Sequence, residues 1–124
     1  MLESFIKPLQ QAGVSNHLFQ YHLSVWHYQR RNYASAYIVF QEALITFVCE
    51  KEGTEWHGQG CREAAKQQIK LENIYGLSAI WDKINKVRNA IAHQLRKQGA
   101  SLQTGIDQLP QLQKEFLKIT RANV

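Results

Sequence analysis

Arg88 and His93 are the side chains whose types and spacing suit chemistry, and they stand in the run Val87-Arg88-Asn89-Ala90-Ile91-Ala92-His93. An imidazole, with an ordinary pKa of about 6.5, takes or gives a proton near neutral pH. A guanidinium is a permanent planar cation that grips phosphate oxygens in two places. The pair suits metal-free cleavage of RNA. That reaction needs a base for the 2′-hydroxyl, an acid for the leaving 5′-oxygen and positive charge on a phosphorane-like transition state. Asn89 lies four residues before His93, close enough on a helix to orient it or to bind phosphate beside it. One Arg and one His per chain make a thin site, and two chains about a twofold axis would double it.

The element that must hold these residues is a helix spanning roughly 78–97. Ile80, Ile84, Val87, Ile91 and Leu95 recur at spacings of four, three, four and four and form one apolar ridge that packs inward. Asn and His are mediocre helix formers, so propensity does not account for them in the interior of this segment. Relative to the ridge, Arg88 falls on the flank, Asn89 further round and His93 nearly opposite. His93 is therefore expected to face solvent or a second chain. Trp81, Asn85, Ala92 and Arg96 lie near that same side, and Ala92 is small enough to admit another helix.

The wording R-N-x-x-A-H, late in an amphipathic helix, resembles the signature of the HEPN superfamily of small helical ribonucleases and nucleotide-binding domains. Upstream, Tyr33-Ala34-Ser35-Ala36-Tyr37 leading into Gln41-Glu42-Ala43-Leu44-Ile45 looks like the first long helices of the HEPN half of CRISPR-associated CARF–HEPN ribonucleases. The likeness covers about 18–117 and only the last domain of such an enzyme. A separate nucleotide-sensing, CARF-like domain would be missing or supplied by another chain. The resemblance implies a composite site at a homodimer interface, with Arg88 and His93 catalytic, single-stranded RNA as substrate and products ending in a 2′,3′-cyclic phosphate. A place in CRISPR-associated or related antiviral defence goes with it, or a free-standing toxin-like role.

Other residues are candidates for support. Arg96 and Trp56 would help bind or orient RNA, Trp56 from a loop at 51–60 with three glycines around it. Glu42 would meet the Arg88 region as a polar residue behind the site. Trp26 and Trp81 read as core or interface. His17, His22 and His27 recur every five residues, which scatters them around a helix and gives no shared metal-binding face. Cys49, His57 and Cys61 fit no familiar zinc spacing, and Cys49 reads as a small buried residue. There is no GxxxxGK loop, no Ser/His/Asp wording and no acidic cluster for a two-metal nuclease, so no cofactor or metal is expected.

Length and composition frame the rest. The chain has 124 residues, enough for a single domain over 1–124. A net charge of +5 with a pI near 9.4 favours anionic partners, nucleic acid first among them. Two cysteines form no disulfide framework, no apolar run is long enough to cross a membrane, and 1–10 lacks the pattern of a secretion signal. A cytoplasmic home is the expectation. Helical periodicity predicts a short amphipathic segment at 2–11, then helices at 17–29, 33–50, 78–97 and 110–121. A polar, loosely attached helix is expected at 61–72, and Ser78 is expected to cap the signature helix. The expected fold is all-α, an antiparallel bundle of four main helices plus short ones, HEPN-like in outline. Other functions fit the same reading: a HEPN-like module that binds RNA or a nucleotide without cutting it, or a toxin–antitoxin component, and a structural adaptor that dimerises.

Overall fold

A computed structural model describes residues 16–53, 58–94 (the backbone alone from 91 onward) and 107–123. Within them the chain is all-helical, and no strand occurs among the described residues. Helix α1 runs Asn16–Gln29, α2 Tyr33–Lys51, α3 Gln59–Glu72, α4 Ser78–Gln94 and α5 Leu109–Ala122, with one 3-10 turn at Ile74–Gly76.

Helix α2 is the axis of the bundle. Its apolar residues are not confined to a stripe, and every residue from Ala43 to Cys49 is buried. A helix that is apolar all round must be surrounded. Helix α1 covers one side as an antiparallel hairpin, with Tyr28 edge-on to Tyr33 at the turn and His17 on Glu50 at the far end. The turn is tight because Arg31 takes a left-handed backbone, φ 63°. Helix α5 returns parallel to α2, where Phe116 packs edge-on against Phe40 and Phe47 at ring distances of 5.6 and 5.8 Å. Pro110 sits in its first turn, where a missing N–H costs nothing.

Three helices also meet at one buried hydroxyl. Ser24 Oγ donates to the Ala36 carbonyl at 2.7 Å and accepts from Gln113 Nε2 at 3.1 Å. On the same helix α2, burial pushes the Tyr37 hydroxyl far above its ordinary value, so it stays protonated.

Helix α3 is better anchored than its polar sequence suggests. Ala65 and Ile69 are buried, while Arg62 reaches across to α2, donating to the Glu42 carboxylate and to Thr46 Oγ1 at 3.0 Å. Leu71, by contrast, is left 79% exposed. The corner into α4 also departs from expectation. Asn73 ends α3 in the left-handed region at φ 51°, and its Oδ1 accepts from the Ser78 backbone N–H at 3.0 Å. Ser78 is thus already inside the helix. The cap position belongs to buried Leu77, whose carbonyl takes the Trp81 N–H at 3.0 Å.

Candidate functional site

Helix α4 holds the signature. Its ridge is in the core as far as side chains are described, with Ile80 2%, Ile84 0% and Val87 5% exposed. The ridge is broader than expected, because Trp81 is also only 2% exposed and belongs to the core instead of the outward side. The inward arc therefore reaches round to the flank that carries Asn85 and Arg88. Asn85 is half-buried there, and Arg88 and Asn89 are exposed. Ile91, Ala92 and His93 continue the helix in backbone, but their side chains lie outside the described residues. Leu95, Arg96 and Trp56 lie outside them altogether.

The partner that α2 offers to this flank is Gln41. It is 4% exposed, sits one residue from Phe40 on the central helix, and accepts a hydrogen bond from Arg88 Nη1. Its Nε2 in turn donates to Asn85 Oδ1 at 2.9 Å. Both ends of a buried amide are thus satisfied, as burial demands. Glu42, expected in this role, is turned to the neighbouring face of α2 and is ion-paired to Arg62. The reason is the helical step: adjacent residues point about 100° apart, so Gln41 and Glu42 cannot both face α4.

This exchange has an electrostatic consequence. Among the described residues Arg88 has no carboxylate within ion-pair distance, and its one bond is to a neutral amide oxygen. The nearest carboxylate in the sequence of α2 is already neutralised by Arg62. Exposed Lys83 and Lys86 lie about 140° or more round the helix from Arg88, and exposed Asp82 stands one turn before Asn85. The flank therefore offers one cation held in place beside an amide, which suits an anion such as phosphate.

The remaining candidates divide plainly. His17 stacks edge-on to Phe47 at 5.0 Å and its Nδ1 meets Glu50 Oε1 at 2.8 Å, which makes it part of the α1–α2 packing. His22 is half-buried, and burial lowers its pKa below the ordinary 6.5. Trp26 lies under Arg30, 4.5 Å from the ring centre to the guanidinium carbon. Cys49 is buried, 1% exposed. Cys49 and Cys61 line one cavity of about 420 Å³ between α2 and α3. Gln41 and Asn85 join the site beyond the residues that the motif names. Their signal was there: two neutral amides in or beside apolar stripes, where an aliphatic residue would pack without needing partners.

No family model matches the chain, and no curated protein or solved structure matches it either.

Proposed function

We propose that this chain is a metal-independent endoribonuclease domain of the HEPN type that cuts single-stranded RNA at a site completed by a second copy. The observation that carries the reading is Arg88: exposed, free of any carboxylate among the described residues, and fastened to buried Gln41. A cation spent on an internal ion pair would serve stability. One held by a neutral amide keeps its full charge for a ligand and is pre-oriented for it.

In this reading Arg88 binds a non-bridging phosphate oxygen and offsets the charge that builds on the phosphorane. His93, five residues on in the same helix, exchanges the proton of the 2′-hydroxyl or the leaving 5′-oxygen, with Asn89 orienting it. One imidazole cannot hold and lack a proton at once, so base and acid come from the two copies in a homodimer. By the resemblance, a separate nucleotide-sensing domain would govern when the site acts.

The test is incubation of the purified protein with single-stranded RNA in EDTA, followed by analysis of fragment ends. Fragments ending in a 2′,3′-cyclic phosphate, absent when the cleaved position is 2′-deoxy, are the expected result. Activity lost on chelation and restored by Mg²⁺ would overturn it. RNA retained without cutting would instead make the domain a binding module.

A further inference from the structure

We infer that Asn85 and Arg88 together form a clamp for the phosphate oxygens of single-stranded RNA, and that buried Gln41 is the positioning residue that sets their donors. The inference rests on the reading of this flank as the RNA-binding site. It adds to that reading a second contact residue and the part that aligns both.

The chemistry of the three groups dictates their orientation. Arginine only donates, so the end of Gln41 that meets Arg88 must be its oxygen. The other end is then the amide nitrogen, which needs an acceptor, and Asn85 answers with Oδ1 at 2.9 Å. Asn85 is left with its NH₂ group directed away from Gln41, and that group has no acceptor among the described residues. Asn85 and Arg88 are three apart, which puts them side by side on α4. The outcome is an opening of donors alone, the Asn85 amide and the remaining N–H groups of Arg88.

A mouth that offers only donors discriminates. Guanine N7 and O6 aside, base edges mix donors with acceptors, whereas the non-bridging oxygens of every backbone phosphate only accept. The clamp therefore suits the backbone of any sequence. Gln41 touches no ligand in this arrangement. It acts through its neighbours, and because it is buried at 4% exposure its geometry is set by the core of the bundle.

The experiment measures binding of an uncleavable 2′-O-methyl oligoribonucleotide by fluorescence anisotropy, with melting curves of every variant alongside. Asn85→Asp keeps the acceptor for Gln41 but turns the outward donor into a carboxylate oxygen. It should weaken binding about 10-fold or more, in line with loss of a charge-assisted hydrogen bond. Ala79→Asp, the same charge on an exposed position of α4, should change binding far less. Gln41→Met should weaken binding several-fold in the wild-type background and clearly less when Arg88 is already alanine, where only Asn85 is left to align. Equal losses from Gln41→Met in both backgrounds would overturn its positioning role. Unchanged binding by Asn85→Asp, with Arg88→Ala impaired, would overturn the clamp and leave the cleavage reading standing. Binding that depends on both residues in a protein that cuts no RNA would uphold the clamp and sink the cleavage. Binding indifferent to Arg88→Ala would overturn both.

Discussion

Arg88→Ala separates two effects that an exposed residue would not ordinarily combine. Truncation removes the cation, and on the proposed mechanism cutting falls by about 10²–10³-fold. It also strands the buried oxygen of Gln41, so the melting curve should register a loss of about 1 kcal/mol instead of none. His93→Ala should abolish cutting, about 10²–10⁴-fold, while RNA is still bound, because a neutral imidazole adds little phosphate affinity. A folded His93→Ala protein cutting at the wild-type rate would sink the assignment. His22 gives a prediction independent of function. Burial holds its folded pKa below 6.5, so the unfolded chain binds the proton more readily than the folded one. Stability contributed by neutral His22 is full above 6.5 and is lost as the pH falls from there through the lower folded value. Melting temperature plotted against pH should show that decline, and His22→Gln should flatten it relative to wild type.

At the level of single helices, the ridge of α4 and the tether of α3 make opposite demands on an assay. Ile84→Ala opens a cavity beneath the signature helix, and a fully buried isoleucine lost to alanine costs about 2–5 kcal/mol. Denaturant titration should show it. Arg62→Ala instead unties α3 from Glu42 and Thr46. Since the Glu42 side chain is 42% exposed, the global loss should be small, about 1 kcal/mol or less. Limited proteolysis should then cut first within 59–72 while RNA binding holds. These elements also mark what the sequence could tell. Periodicity located α1, α2, α4 and α5 to within a residue or two at their described ends, since each must bury a face. It could not tell that Gln41 and not Glu42 would meet Arg88, because that depends on how α2 is rotated about its axis among four neighbours. Nor could it assign the α4 cap to Leu77 and Asn73, as Ser78 has the better capping chemistry and the left-handed turn at Asn73 decides the matter. The flank position of Arg88 was legible; the neutral partner that leaves its charge available was not.

The whole molecule enters through assembly. If the site needs two imidazoles, sedimentation at micromolar concentration should give twice the 14.4 kDa of one chain, and a strict monomer in the presence of RNA would count against catalysis. The burial of α2 on every side has a further consequence, one measured in time. Residues 43–49 lie beneath several helices at once, so no single helix can lift away and expose them. Their amide hydrogens should exchange with solvent only when the entire bundle opens, and all at one common rate. Exposed α3 should exchange earlier, by separate openings. A hydrogen clock read on α2 would thus report the global free energy of this fold directly, with no denaturant added.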